Sequence, residues 1–195
     1  MVSIHEKLEK AIVGIAGLGG LGTNVAVALT RAGVGRLIIA DFDTIDESNL
    51  NRQQYFADQV GRLKVEATIE NLKRINPNIN IEGHQQKLTV ENVPEIFAAA
   101  DVITECFDKA EEKQMLVETV LSKMDKPIIV SVSGLAGYGD SNAIQTRRIS
   151  KRLILVGDNE SGIDSVQLLT AARVGIAANH QANAVLEVLI DEIKK

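Results

Sequence analysis

Cysteine is nearly missing from this 195-residue chain, where Cys106 is the only one. One thiol excludes an internal disulfide framework and any zinc site built from several cysteines of one chain. Tryptophan is absent and aromatic residues make up 3%, too few for a platform that stacks bases. Positive charge is not in excess either. Lys and Arg total 21 against 26 Asp and Glu, a formal net charge of −5, which argues against nucleic-acid binding by bulk charge. The longest apolar runs, such as Ala11 to Ala16 and Pro127 to Val132, fall far short of the ~20 residues that cross a bilayer. Glutamates and lysines mix at the N-terminus, with no secretory pattern. What is present is a hydrophobic content of 45% and a charged content of 24%, the make-up of a chain that buries a core and is not disordered. The expectation is a single domain, residues 1–195, in a reducing cytoplasm, with neither a membrane nor a nucleic acid as partner.

Apolar runs and glycine stops alternate along the chain. After a charged lead-in over residues 1–10, Ala11 to Ala16 reads as a buried strand, followed by a glycine turn and a small-residue helix from Thr23 to Ala32. Gly33 and Gly35 close that helix, and Arg36 to Ala40 reads as a second strand ending at Asp41. Strand, turn, helix and strand in about 30 residues is one right-handed βαβ unit. Helical spacing at Val65, Ile69, Leu72 and Ile75 predicts a helix from Lys64, stopped by Asn76-Pro77. Strands are predicted at Ile79–Gly83, Asp101–Cys106 and Pro127–Ser131, and helices at Val93–Ala100 and Glu111–Met124. The pattern then changes. Ala143–Ile149 and Arg152–Val156 suit an antiparallel hairpin, and Val174 to Ile193 reads as the last helix. The expected fold is α/β, a Rossmann-like doubly wound, mainly parallel sheet with an antiparallel C-terminal edge hairpin.

Gly17, Gly19 and Gly22 fit G-x-G-x-x-G between a strand and a helix, the context that motif requires. Gly17 permits the turn, Gly19 lets the backbone approach a phosphate, and Gly22 lets helix and strand pack closely. The helix beyond offers free N–H groups to an anion, and Asp41 stands where an acid accepts from ribose hydroxyls. The turn alone does not say which nucleotide binds, since NAD-dependent dehydrogenases share it. Arg52 and Lys64 bear on that choice. Singly each reads as a surface charge; following a nucleotide turn, two cations suit a triphosphate, whose transfer needs charge neutralised on the leaving group. Asp108 falls just past the carboxyl end of a predicted parallel strand, where open α/β sheets place ligands.

Gly17-Leu18-Gly19-Gly20-Leu21-Gly22, Asp41-Phe42-Asp43, Ser48-Asn49-Leu50-Asn51-Arg52-Gln53, Lys64 and Arg74-Ile75-Asn76-Pro77 together resemble the superfamily of ubiquitin-activating and sulfur-carrier-activating enzymes, ThiF, MoeB and their relatives. Residues 11–132 carry most of the likeness. The segment Arg173 to Asn183 is similar to the short ThiF-type adenylyltransferases. The resemblance implies adenylation by ATP of the C-terminal glycine carboxylate of a small ubiquitin-like sulfur carrier, ThiS-like, with release of pyrophosphate, in thiamine biosynthesis. It implies that Gly17, Gly19, Gly20, Gly22, Asp41, Asp43, Asn49, Arg52, Gln53 and Lys64 bind the nucleotide. Arg52, Lys64 and Asp108 would be catalytic, with Asp108 binding Mg2+. Because the family's equivalent of Arg52 reaches the other subunit, a homodimer is implied as well.

The chain also departs from the longer relatives. It lacks their paired Cys-x-x-Cys motifs, so no structural zinc is expected, and Lys109 stands where relatives usually have Asn. The resemblance leads to the expectation that an N-terminal arm with a further ATP-contacting Arg, and part of the carrier-binding region, are not supplied by residues 1–195. Cys106 falls in a predicted buried strand beside Glu105 and Asp108, which suits packing rather than a nucleophile. His180 is expected to be a hydrogen-bonded structural imidazole. The loop Ser133–Asn142, with Gly134, Gly137 and Gly139, reads equally as a groove for a carrier tail and as a flexible turn. Gly157–Asp164 is a candidate cover for the site. Two other functions stay open: a related dehydratase acting on a modified-tRNA carboxylate, and a non-catalytic nucleotide-binding adaptor in which Asp108 only caps a helix. An NAD oxidoreductase comes last.

Overall fold

The computed structural model describes residues 3–161 and 169–192. The first element was not expected. Ser3 and Glu6 exchange side-chain and backbone hydrogen bonds in a capping box that opens α1, Ile4–Glu9, so the charged lead-in is a helix. β1 (Ile12–Ala16) runs into α2, whose span is Gly20–Ala32 rather than a start at Thr23. Gly33, in the left-handed region at φ +91°, ends α2. β2 (Arg36–Ala40) and α3 (Lys64–Ile75) match the sequence expectation residue for residue.

β3 (Asn80–His84), α4 (Val93–Ile96), β4 (Val102–Glu105), α5 (Ala110–Lys123) and β5 (Ile128–Val132) follow. α4 is half the length its apolar spacing suggests. The hairpin is β6 (Gln145–Ser150) and β7 (Leu153–Gly157), with a register shift between Arg148 and Ser150. α6 (Ala171–Glu187) passes into a π-helical turn, Val188–Glu192; Ile193, the expected end of that helix, lies outside the described residues.

The seven strands form one sheet in the order β3-β2-β1-β4-β5-β7-β6, parallel except for the β7–β6 pair. This is the Rossmann-like arrangement expected, with the hairpin's β6 at the edge. Two apolar clusters cover the two faces. One packs α1, α2, α3 and α6 through residues such as Leu8, Leu29, Leu72 and Val185, and the other packs α4 and α5 through Ile96, Leu116 and Val120. The order of connection reverses between β1 and β4, so the carboxyl ends of these two strands flank the crevice where open α/β sheets bind ligands. Among the described residues, no helix is long and apolar enough to cross a membrane.

Candidate functional site

The turn from β1 into α2 is fixed by steric need. Gly17 has φ +93°, and a β-carbon there would stand 3.1 Å from the Cys106 carbonyl oxygen. A β-carbon on Gly22 would stand 1.8 Å from the Gly17 carbonyl oxygen, so helix and turn meet only because it is absent. Gly19 is the N-cap of α2 and provides no side-chain cap, which leaves the first N–H groups of a 13-residue helix open to an anion. A β-carbon on Gly19 would find only Gln53 Nε2, at 3.9 Å. Steric crowding therefore explains Gly17 and Gly22, but not Gly19.

The segment from Asp41 to Lys64 is stitched onto this turn. Asp41 accepts from the Leu18 N–H at 2.6 Å and from the Asp43 N–H at 2.8 Å, tying the end of β2 to the turn. The N–H of Gln54 donates to Thr23 Oγ1, and Asn24 Nδ2 donates to the Arg52 carbonyl. Buried Tyr55 donates to the Leu18 carbonyl at 2.9 Å, and its burial pushes the phenol well above its ordinary value, so it stays a donor. Asn49 turns its side chain back to accept from the Asp46 N–H. The Arg52 stem lies 3.5 Å from where a Gly20 β-carbon would be, while its guanidinium rests on Ser48 O and Asn51 Oδ1. Gln53 is buried, and its Oε1 has no hydrogen-bond partner.

Lys64, read from sequence as a helix-start cation, is 6% exposed. Its Nζ is 2.8 Å from Asp43 Oδ2, and its backbone N–H donates to the Asp43 carbonyl at 3.0 Å. Residues 44 and 63 pair beside it. This short antiparallel contact carries the lysine back toward the end of β2.

The next side of the crevice is the turn after β4. Cys106 lies just past the strand rather than within it, buried, and its N–H donates to the Ala16 carbonyl. Burial first, and then the charge of Glu105, pushes its thiol up to about 12, which leaves it protonated at neutral pH. Asp108 is exposed, and its carboxylate is uncommitted among the described residues.

Sequence reading passed over Glu105 as a mere acidic neighbour of Cys106. Glu105 is fully buried and accepts from Lys113 Nζ, Ser131 Oγ and the N–H groups of Phe107 and Val132. A carboxylate letter inside an apolar strand, with a lysine eight residues on, was the available signal.

The structure therefore gathers Gly17, Gly19, Gly20, Gly22, Asp41, Arg52, Gln53 and the turn leading to Asp108 around the β1–β4 crevice. Lys64 joins them through Asp43, while the Asn49 side chain is spent on its own turn. These groups fit a triphosphate: bare backbone, an uncapped helix end, a buried lysine and, beside Gly19, the Gln53 amide nitrogen, which can donate. Among the described residues, no cluster of three or more His, Cys, Asp or Glu side chains stands ready for a metal. One exposed carboxylate fits magnesium only in the manner common for that ion, shared with substrate phosphates.

The loops beyond β5 and β7 are built differently. Gly134, Gly137 and Gly139 have positive φ, and the carbonyls of Gly139 and Asp140 accept from buried Arg173. Arg173 also pairs with Asp158 at 2.9 Å, and Asp158 accepts from Ser161 and the Glu160 N–H. Of the two readings of the Ser133–Asn142 loop, a loose turn does not match this clasp. His180 Nδ1 is hydrogen-bonded to Thr146 Oγ1 at 2.9 Å. The proposed cover, Gly157–Asp164, lies in part outside the described residues.

Comparison with known proteins adds to this geometry. The ThiF family model matches residues 2–195. The chain is 40% identical over 134 residues to an adenylyltransferase and sulfurtransferase uba4 of Aspergillus niger, covering 68% of this chain and 27% of that protein. It is 37% identical over 134 residues to the sulfur carrier protein ThiS adenylyltransferase of Escherichia coli, covering 68% of this chain and 53% of that protein. The chain thus spans a quarter to a half of these relatives. In three dimensions it is similar to the E. coli tRNA N6-threonylcarbamoyladenosine dehydratase TcdA in complex with ATP, with a TM-score of 0.86 at 19% identity, covering 95% of this chain and 88% of that one. That likeness speaks for the fold.

Proposed function

The chain belongs to the ThiF family, and from that premise and the geometry of the crevice we propose that it is an ATP-dependent adenylyltransferase, one unit over residues 1–195. Its substrate is the C-terminal glycine carboxylate of a small ubiquitin-fold sulfur carrier, ThiS-like. The observation that carries this reading is the delivery of a buried lysine and the Gln53 amide nitrogen, a donor, to an uncapped glycine turn by one loop. The adenylyltransferase relatives support the reaction class. Thiamine synthesis, a homodimer and a cytoplasmic setting belong to the same proposal, on the resemblance of the sequence.

In the reaction, an oxygen of the carrier carboxylate forms a bond to the α-phosphorus of ATP. The bond from that phosphorus to the α–β bridging oxygen breaks, giving acyl-adenylate and pyrophosphate. No proton has to move, because a carboxylate is already ionised at neutral pH. An anion approaching an anion meets a barrier of charge and position. The N–H groups of the glycine turn and α2 orient the phosphates, and Asp41 takes the ribose hydroxyls with its remaining lone pairs. Lys64 exchanges Asp43 for a phosphate, and Arg52, its guanidinium released from Ser48 and Asn51, neutralises the leaving pyrophosphate in the other subunit of the homodimer. Asp108, with the phosphates, would hold magnesium, which when bound supplies charge neutralisation there.

The tRNA-directed dehydratase is the second reading, and its basic face would be the exposed hairpin with Arg147, Arg148 and Lys151. Arg148 is already paired with Glu192, and Arg152 is spent on backbone carbonyls, so that face is thin. Isotope exchange between pyrophosphate and ATP, with magnesium, separates the two. Exchange that requires a Gly-Gly-ended carrier is the expected result. Exchange driven by tRNA selects the second reading, and none with any such carrier from folded protein overturns the first.

A further inference from the structure

We propose that Glu105 is a positioning residue that sets Asp108, and through it the affinity for magnesium-loaded ATP; this rests on the nucleotide reading above. Among the described residues no hydrogen bond or ion pair holds the Asp108 side chain, so its place depends on whatever holds the turn from Cys106 to Lys109. Glu105 holds that turn from inside. Its Oε1 accepts from the Phe107 N–H at 2.7 Å and from Lys113 Nζ at 3.0 Å, gripping the turn and the first part of α5 together. Its Oε2 accepts from Ser131 Oγ at 2.6 Å and from the Val132 N–H at 3.3 Å, anchoring the grip to β5. Its carbonyl accepts from Gln181 Nε2 of α6 at 2.9 Å.

One carboxylate with no exposed surface therefore locks the strand end, the turn, the helix and the next strand into a single register. Burying a charge is costly even when it is paired, and an apolar side chain of similar volume often stabilises a fold as well or better. The carboxylate is explained by geometry: it fixes Phe107 and Lys113 on either side of Asp108, as partners behind a metal ligand commonly do.

The test is calorimetric titration of ATP into the full chain, with magnesium chloride and again with EDTA. Glu105→Gln should weaken ATP about tenfold in magnesium and leave the EDTA affinity within about twofold. Asp108→Asn should do the same, and the double variant should bind no more weakly than Asp108→Asn alone. Ser131→Ala, which keeps the Lys113 pair, should show a smaller loss in the same direction and carries the test if Glu105→Gln does not fold. Independent, additive losses from Glu105→Gln and Asp108→Asn overturn the proposal, as does a Glu105→Gln loss equal with and without magnesium. An effect of Asp108→Asn with none from Glu105→Gln or Ser131→Ala sinks the positioning role alone. No effect from Asp108→Asn removes both this role and the magnesium part of the function.

Discussion

Lys64 and Arg173 are both buried cations at the carboxyl edge of the sheet, 6% and 7% exposed, yet they are held in opposite ways. Among the described residues Lys64 has one anionic partner, Asp43, whose side chain is 48% exposed. Arg173 has Asp158, itself 10% exposed, and two loop carbonyls. Asp158 in turn is saturated by Ser161 and the Glu160 N–H. A cation whose only partner is half in water can trade it for a phosphate at little cost, because the released carboxylate is solvated. A cation locked to a buried, saturated acid cannot. The β2–β1–β4 half of the edge is left open to a ligand, while the β5–β7 half is fastened by the chain's own groups.

Breaking the fastener should give the largest effect on stability. Asp158→Ala leaves the Arg173 charge buried without its counter-charge, so denaturant unfolding should show a loss of about 3–5 kcal/mol, while ATP affinity of the folded protein stays within about twofold. Lys64→Met should do the reverse. Pyrophosphate exchange should fall about 100-fold, the size seen when one preorganised charge-stabilising donor is lost, with only a small shift in unfolding midpoint.

The glycines sharpen the contrast within one half. Gly22→Ala forces a β-carbon to 1.8 Å from the Gly17 carbonyl and should cost about 1–3 kcal/mol of stability. Gly19→Ala has room in the free protein, so it should unfold like wild type yet bind ATP more weakly, by about tenfold in titration for one lost close approach to phosphate. Should both variants lose only stability, the turn is merely structural.

Acid separates the halves more gently. Burial alone would raise the Asp158 carboxyl, but hydrogen bonds from the Ser161 hydroxyl, from the N–H groups of Ser161 and Glu160, and from Arg173 bring it from an ordinary 3.8 down to about 2. A depressed carboxyl contributes stability that is full above its unfolded value and is lost as pH falls through its folded one. The stability gap between wild type and Asp158→Ala should therefore hold at pH 5 and narrow as the pH falls from about 4 to about 2. A gap that stays constant across that range would show that the clasp does not depend on the charge.

Which parts of this were legible in the sequence follows from the range of the forces involved. β2 and α3 were readable because local signals bound them: glycines before Arg36, and Asn76-Pro77 after helical spacing from Lys64. α1 was passed over although Ser3 and Glu6 stand at capping-box spacing, because charged residues near a terminus read as solvated. The start of α2 at Gly20 was hidden by glycine's poor helix propensity, which packing against Val174 and the Arg52 stem overrides.

The order of motifs from Gly17 to Lys64 located the crevice, since each is a local string. The state of its groups was not legible. Lys64 opening a helix looks solvent-facing until the pairing of residues 44 and 63 folds it inward. The Glu105 network needs β5 beside β4 to bring Ser131 within reach. The Arg173–Asp158 pair joins residues 15 apart through tertiary packing alone.

A crystal structure of the protein with ATP and magnesium tests the open-half account most directly. The account predicts phosphates over Gly19 and Gly20, Lys64 Nζ moved from Asp43 to a phosphate oxygen, the Gln53 side chain newly hydrogen-bonded, and the Arg173–Asp158 pair unchanged. Phosphates seated on the β5–β7 loops, with Lys64 still bound only to Asp43, would contradict it.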